Sequence, residues 1–288
     1  MDIKEIVFGI IGGLGLFLFG MGIMSDGLKK AAGQRMKSFL GSLTSNRLVA
    51  VTVGALVTAL IQSSSATTVM TVGFVNAGLL TLKQALSVVL GANIGTTFTA
   101  WIVSIIGSGL KITAYALPCV GVGFLLQVLS KKENQKNLGS IILGFGLLFI
   151  GISFMKDAFG PLKHSEQVQS ILVGFGSNPL LAILAGTVIT VLLQSSSASI
   201  MIIQLLAFEG AFGVADWSEV LRISIPFILG DNIGTTITAQ LASLQTSRNS
   251  KRAAMGHTIF NVLGVLWILP IVWLGFFPAI VEKVTPFT

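Results

Sequence analysis

Charge-free apolar stretches recur along the whole sequence, and they restrict the fold more than any other feature. Residues 6–23 carry no charge, and only 10% of the 288 residues are charged, against about 25% in a soluble domain. An α-helix needs roughly 20 apolar residues to cross a bilayer. Because backbone polar groups must be satisfied within the membrane, the sequence predicts an all-α polytopic membrane protein.

The distribution of charged residues also indicates that this chain lies in a lipid bilayer. The net charge of +7 comes largely from basic residues in the connectors, such as Lys131 and Lys132, which is the usual distribution in a multi-pass protein. Nucleic acid is therefore not expected as a partner. The first apolar stretch is followed by no small-residue cleavage site in a polar setting, so we expect a retained helix rather than a signal peptide. The predicted location is the cell (inner or plasma) membrane.

An internal repeat divides the chain into two halves. Duplication of this kind is the usual construction of secondary transporters. We predict repeat 1 over residues 1–130, a charged linker over 131–137 and repeat 2 over 138–288. The aligned pairs are LFLFGMGIMSDGLKK (16–30) with LLFIGISFMKDAFGP (147–161), GALVTALIQSSSATT (54–68) with GTVITVLLQSSSASI (186–200), and LGANIGTTFTAWIVS (90–104) with LGDNIGTTITAQLAS (229–243).

The apolar segments within a half differ in length, and the short ones suggest re-entry. Residues 48–60 and 66–80 are each too short to cross the ~30 Å hydrocarbon core, so they predict a re-entrant hairpin with QSSS at its tip. Residues 82–107 are long enough, but two glycines flank Asn93 there and predict a broken helix. Three crossings and a hairpin per half imply that the repeats are inverted. The predicted segments are a span 6–28, an interfacial helix 31–47, a hairpin 48–80, a broken helix 82–107 and a span 110–130, then a span 138–160, a hairpin 178–210, a broken helix 219–245 and a span 253–281.

Clusters of small hydroxyl residues interrupt the apolar segments at four places, which we predict to meet near the middle of the inverted repeat. Each interruption leaves a helix N-terminus, whose free N–H groups and dipole attract anions. Serine and threonine hydroxyls both donate and accept, so they suit an oxyanion and a small hard cation. The predicted anion ligands are Ser63, Ser64, Ser65, Thr67, Ser195, Ser196, Ser197, Thr96, Thr97, Thr235 and Thr236. The predicted sodium ligands are Gln62, Gln194, Asn93, Asn232, Asp231, Ser64 and Ser196.

Charge balance at mid-membrane indicates coupling to cations. The nearest basic residues, Lys83 and Arg222, lie at the outer start of the broken helices, so a bound polyanion would need co-bound cations. Asp231 is the only carboxylate predicted at mid-span, where the first half has Ala92. Acids at this depth are costly and usually functional, although a helix-capping Asp is the alternative. The pattern predicts cation-driven uptake of a small tetrahedral anion.

The serine clusters have two other possible roles, helix packing and catalysis. Small residues often mediate close helix packing in membranes, but two copies, each preceded by glutamine and each at the turn of a too-short pair, favour binding. Catalysis is not predicted, because no histidine or lysine neighbours either cluster and no phosphate loop of the form G-x-x-x-x-G-K occurs. No cofactor is expected besides co-transported sodium.

At these residues the chain resembles the type II sodium/phosphate cotransporter family over nearly its whole length. QSSSATT and QSSSAS match the paired QSSS signature, the LGANIGTT and LGDNIGTT segments match those that follow it, and GHTIFNVLG resembles the His-x-x-Phe-Asn run. The resemblance implies sodium-coupled symport of inorganic phosphate, with phosphate held between the two QSSS tips, and often a homodimer. Bacterial members often carry a cytosolic PhoU-like tail, so a chain ending at Thr288 implies the transport core alone.

Several alternatives stay open at this point. An uncoupled anion or cation channel would also use hydroxyl-lined breaks, and some bacterial relatives are linked to phosphate export. The count of basic residues places the base of the first hairpin in the cytoplasm, whereas the family's cytosolic tails favour the reverse. Electrogenic members carry an Asp after the His of the first His-x-x-Phe-Asn run, which this chain lacks. The resemblance therefore implies an electroneutral cycle of two sodium ions and divalent phosphate.

Overall fold

The computed structural model describes residues 3–32, 46–107 and 113–284. Within these ranges all regular secondary structure is helical, as predicted. A short 3-10 helix, Gly160–His164, lies between the sixth and seventh α-helices. In chain order the α-helices are α1 (Ile3–Ala32), α2 (Arg47–Ile61), α3 (Ser64–Asn76), α4 (Leu82–Gly107), α5 (Thr113–Leu129), α6 (Glu133–Phe159), α7 (Glu166–Ser177), α8 (Pro179–Leu193), α9 (Ser196–Phe208), α10 (Trp217–Gly234), α11 (Thr236–Ser243), α12 (Arg248–Trp273) and α13 (Phe276–Val284).

Four helices of the described chain are long and apolar enough to cross a membrane. They are α1, α4, α6 and α12, and counting the bent pair of α7 and α8 as one segment gives five. This confirms a helical protein with several candidate membrane spans. The predicted span 110–130 corresponds to the shorter helix α5 of 17 residues, and residues 110–112 lie outside the described ranges.

The break predicted within 82–107 is wrong, because α4 is one continuous helix. The two glycines that suggested the break serve close packing instead. A Cβ at Gly91 would lie 1.9 Å from the carbonyl oxygen of Val51, and one at Gly95 would lie 2.5 Å from that of Ala55. In the second half the corresponding segment is interrupted, since α10 ends at Gly234 and α11 begins at Thr236.

Other predicted boundaries also change. The charged linker 131–137 is mostly helical: α6 begins at Glu133, where an acidic residue suits the helix dipole and pairs with Lys136 at 3.4 Å. The predicted span 253–281 is divided, because α12 ends at Trp273 and Gly275 adopts φ +79° before α13. Helix α7 was not predicted. The interfacial helix predicted over 31–47 falls largely on residues outside the described ranges.

The two halves repeat the same packing of a short helix on a longer one. Asn46 caps α2 and Asn178 caps α8, each accepting a hydrogen bond from the N–H two residues on, at 2.9 and 3.1 Å. Helix α2 crosses α4 at Gly91, and α8 crosses α10 at Gly230, where a Cβ would lie 2.0 Å from the carbonyl oxygen of Ile183. Only glycine permits backbones to approach so closely.

Helices α1 and α6, which align with each other in the sequence repeat, pack together in antiparallel fashion. A Cβ at Gly13 would meet the carbonyl oxygen of Gly151 at 2.8 Å, and one at Gly20 would meet that of Gly144 at 2.7 Å. In the repeat alignment Gly13 corresponds to Gly144 and Gly20 to Gly151, so each contact is the counterpart of the other. The main hydrophobic core includes this pair, with Phe17 fully buried.

Candidate functional site

The two QSSS segments have the same local structure. We call residues 62–65 the first tip and 194–197 the second tip. Gln62 ends α2 and Gln194 ends α8, both in the left-handed conformation, with φ 56° and 52°. Ser63 and Ser195 then cap α3 and α9, each accepting a hydrogen bond from a backbone N–H three residues on, at 3.2 Å. Each tip therefore places a helix N-terminus directly after a left-handed turn.

Thr99 of α4 connects the two tips. Its hydroxyl donates to Gln62 Oε1 at 2.8 Å and accepts from Ser197 Oγ at 3.3 Å. Ser64 and Ser196, the first residues of α3 and α9, are both buried. The structure thus brings the predicted residues Gln62 and Ser197 within two hydrogen bonds of each other. Thr99 was not predicted, although its place in the aligned NIGTT segments is a signal that could have drawn notice.

Asp231 on α10 forms a second polar cluster, next to the second tip. The side chain is fully buried, and its Oδ1 accepts hydrogen bonds from Thr190 at 2.9 Å and Ser199 at 2.7 Å. The other carboxylate oxygen, Oδ2, is buried without a hydrogen-bond partner in the described structure. Neither hydroxyl residue was predicted. The repeat alignment could have found Ser199, because it corresponds to Thr67 of the predicted set.

The corresponding place in the first half has no carboxylate. There Ala92 is buried, and the hydroxyl of Thr58 donates directly to that of Thr67 at 3.0 Å. Thr58 and Thr190 are aligned in the repeat. The two halves therefore share a pair of facing hydroxyls, and only the second half inserts a carboxylate between them.

The asparagines of the two NIGTT segments, Asn93 and Asn232, line one cavity of about 660 Å³. Thr96 and Thr97 also line it, together with a mainly apolar wall. The tip serines are not among its lining residues. Thr235 and Thr236 are buried, and their hydroxyls donate to carbonyl oxygens of their own helical turn. The predicted residues thus do not share one site: one group forms the tips, a second lines this cavity, and Thr67, Asp231, Thr235 and Thr236 belong to neither.

A histidine from the second half fixes the orientation of Asn93. His257 Nε2 lies 3.2 Å from Asn93 Oδ1, and Asn93 Nδ2 donates to Asn261 Oδ1 at 2.8 Å. His257 and Asn261 both belong to the His-x-x-Phe-Asn run on α12. The network therefore connects the first NIGTT segment to that run across the two repeats.

Carboxylates near the helix ends are less enclosed. Asp26 and Asp157 are both exposed. Asp26 Oδ1 forms an ion pair with Lys29 Nζ at 3.3 Å. Glu209 pairs with Lys156 at 3.8 Å. In the part of the chain that the structure describes, no group of three His, Cys, Asp or Glu side chains could hold a metal ion. The oxygens suited to a cation are thus those of single carboxylates, amides and hydroxyls.

Comparison with known proteins gives one family and several relatives. The sequence model of the Na+/Pi-cotransporter family matches residues 16–157 and 162–269. The chain is 34% identical over 270 residues to the uncharacterized protein YqeW of Bacillus subtilis, covering 94% of this chain and 83% of that protein. It is 29% identical over 265 residues to the protein named "Putative inorganic phosphate export protein YjbB" of Escherichia coli K12, covering 92% of this chain and 47% of that one.

A human relative is similar over a shorter region. Sodium-dependent phosphate transport protein 2B is 36% identical over 102 residues, covering 35% of this chain and 15% of the human protein. The chain spans about half the length of YjbB and a smaller share of the human protein. No solved structure matches the chain significantly.

Proposed function

The chain belongs to the Na+/Pi-cotransporter family, and on that basis we propose that it is a secondary active transporter that carries inorganic phosphate together with sodium ions. The observation that carries the proposal is the pair of QSSS tips, connected through Thr99. Two helix N-termini that are connected through one threonine hydroxyl in this way suit a tetrahedral anion. The sodium coupling in this proposal is supported by the similarity to the human relative, which is named a sodium-dependent phosphate transport protein.

We propose that the two halves are inverted repeats, each with a re-entrant hairpin. The antiparallel contact between the aligned helices α1 and α6 supports inversion, because an axis in the membrane plane relates helices of opposite direction. The hairpins would be α2 with α3 and α8 with α9. These helices have 15, 13, 15 and 13 residues, so each is at most ~23 Å long and shorter than the ~30 Å core.

Phosphate would bind between the tips. The first turns of α3 and α9 offer backbone N–H groups, and Ser64 and Ser196, the first residues of these helices, add a hydroxyl to each. Hydrogen bonds from several such donors stabilise an oxyanion without a fixed basic residue. Sodium would bind near the amide oxygens of Asn93 and Asn232, which share one cavity, and would offset the negative charge of phosphate.

Net export is a second candidate, and one observation favours it. Similarity to the protein named as a putative phosphate exporter covers 92% of this chain, whereas similarity to the human sodium-dependent protein covers 35%. A coupled transporter moves its substrate in the direction that the combined gradients favour, so both directions use the same site.

The experiment that tests this function is phosphate transport in proteoliposomes. Labelled phosphate should accumulate inside vesicles against its own gradient when sodium is high outside, and should not do so when choline replaces sodium. Equal movement in both media, without accumulation, would identify an uncoupled channel. Vesicles loaded with phosphate and sodium should release phosphate faster into sodium-free medium, which measures export by the same protein.

We also propose a homodimer in the cell membrane, since the family resemblance implies one. The mass of the purified protein, corrected for bound detergent, tests this: a value for one chain would contradict it.

A further inference from the structure

Asp231 is the only buried acidic side chain in the described ranges. Its Oδ1 is satisfied by two hydroxyls, but its Oδ2 has no hydrogen-bond partner among the described residues. None of the ion pairs found there includes Asp231. A buried, unpaired carboxylate is costly, so a positively charged species is expected beside it.

The first half shows that the fold does not need this carboxylate. Ala92 stands at the aligned position, and Thr58 and Thr67 close the gap with a direct hydrogen bond of 3.0 Å. The glycine contacts that bring the short helix onto the long one are alike in both halves. Because the short helix approaches the long one equally closely with alanine at the aligned position, packing alone does not explain Asp231.

We propose that Asp231, Thr190 and Ser199 bind one sodium ion, with Oδ2 and the two hydroxyl oxygens as ligands, and that the first half has no equivalent site. Each hydroxyl donates its proton to Oδ1 and keeps lone pairs for a cation. Carboxylate and hydroxyl oxygens are hard ligands, which suit a small hard cation. The site adds a specific cation-binding position to the sodium-coupled transport proposed above. Its role in transport rests on that proposed function, whereas the binding of sodium at the site does not.

The site also lies close to the second tip. Ser199 is in the first turn of α9, and its backbone N–H donates to the carbonyl oxygen of Ser195, the residue that caps this helix, at 3.2 Å. A cation at Asp231 would therefore lie next to the first turn of α9, the helix N-terminus that is proposed to bind the anion. Its positive charge would cancel the negative charge of Asp231, which would otherwise weaken anion binding at the second tip; the first half has the neutral Ala92 at the aligned position.

The test is the thermal stability of the purified protein without phosphate, with sodium chloride compared with choline chloride at equal ionic strength. Sodium should raise the melting temperature of the wild type in a saturable way, because a ligand of the folded state stabilises it. Asp231→Ala should remove this rise, or increase the sodium concentration for half the effect by roughly tenfold or more. Its melting temperature in choline should not fall, since the first half folds with alanine there.

A matched pair of variants separates this site from a general effect. Thr190→Val removes one proposed ligand and should weaken the response to sodium, whereas Thr58→Val removes the aligned hydroxyl of the first half and should leave it unchanged. A full sodium response in Asp231→Ala, or equal responses in the two valine variants, would overturn the proposal. So would a wild type whose stability depends on pH but not on sodium, since Asp231 would then hold a proton.

The same measurements distinguish this proposal from the proposed function. If Asp231→Ala loses the sodium response while wild-type phosphate uptake proves independent of sodium, the cation site stands and coupled transport fails. If uptake depends on sodium and Asp231→Ala keeps its sodium response, coupled transport stands and the site fails.

Discussion

At the scale of the residue, the two glutamines that precede the serines are in an unusual backbone conformation. Gln62 and Gln194 are the only non-glycine residues with positive φ in the described structure. The left-handed region costs a residue with a Cβ about 1–2 kcal/mol, whereas glycine adopts it freely. Two strained residues at aligned positions indicate that the amide side chains, not the turns, account for glutamine here.

Replacing Gln194 with glycine should separate these two roles. Gln194→Gly keeps the turn and removes strain, so we expect the stability to change by no more than about 1 kcal/mol. The sodium concentration for half-maximal uptake at saturating phosphate should rise, since an amide oxygen is lost. A sodium activation curve identical to that of the wild type would remove Gln194 from the sodium ligands predicted from the sequence.

The serines at the starts of α3 and α9 should determine phosphate affinity. Ser64→Ala and Ser196→Ala each remove a hydroxyl, and losing a hydrogen bond to a charged group costs about 1.5–3 kcal/mol, or about ten- to a hundredfold in affinity. Ser224→Ala, at a buried serine of α10 outside the tips, should bind phosphate as the wild type does. Unchanged affinity in both tip variants would assign these serines to helix packing.

At the scale of the element, the two NIGTT segments have nearly the same sequence and different helix continuity. Helix α4 runs through its copy, whereas the second copy is divided at Thr235 between α10 and α11. The glycines at the aligned positions Gly91 and Gly230 make equally close backbone contacts. Their main effect is therefore to let the short helices α2 and α8 approach.

Adding a methyl group at such a contact should be strongly destabilising. Gly91→Ala places a Cβ 1.9 Å from a carbonyl oxygen, and helices forced apart typically lose about 1–3 kcal/mol or more. Gly22→Ala on α1, where no atom lies within 4 Å, should be neutral or stabilising by up to about 1 kcal/mol. Melting temperature and folded yield measure both, and equal values would refute the packing role.

Some features of these helices were predictable from the sequence and others were not. Apolar length predicted membrane helices, and serine after a short apolar run predicted a helix N-terminus at each QSSS segment, where α3 and α9 begin at Ser64 and Ser196, because these features depend on local properties. The lack of a Cβ at Gly91 suits both a break and a close contact, and only the position of α2 decides between them. Thr190 was missed for the same reason, since its carboxylate partner is distant in sequence.

At the scale of the whole molecule, the content of fixed charge bears on the charge moved per cycle. The first half has no carboxylate between Asp26 and Glu133, and Thr258 follows His257 in the second half. The family resemblance implies that electrogenic members use an Asp after the His for an additional sodium ion. Two sodium ions, one at Asp231 and one near Asn93 and Asn232 as proposed above, would then carry no net charge together with divalent phosphate.

We therefore expect phosphate uptake to be insensitive to membrane potential. In vesicles clamped at 0 and at about −100 mV, each net charge moved would be worth ~2.3 kcal/mol. Equal initial rates at saturating sodium are the expected result. A clear acceleration by inside-negative potential would contradict the electroneutral cycle and imply a further sodium ion.

The contact between α1 and α6 has a consequence for the ancestry of such a chain. Gly13 contacts Gly151, and their aligned counterparts Gly144 and Gly20 contact each other in the same way. Such reciprocal contacts are the self-complementary arrangement of a homodimer. Two identical half-length chains paired in this way would have to carry the same residue at both copies of every position. Fusion into one polypeptide removes that restriction, and the difference between Ala92 and Asp231 is one that a homodimer of half-length chains cannot encode.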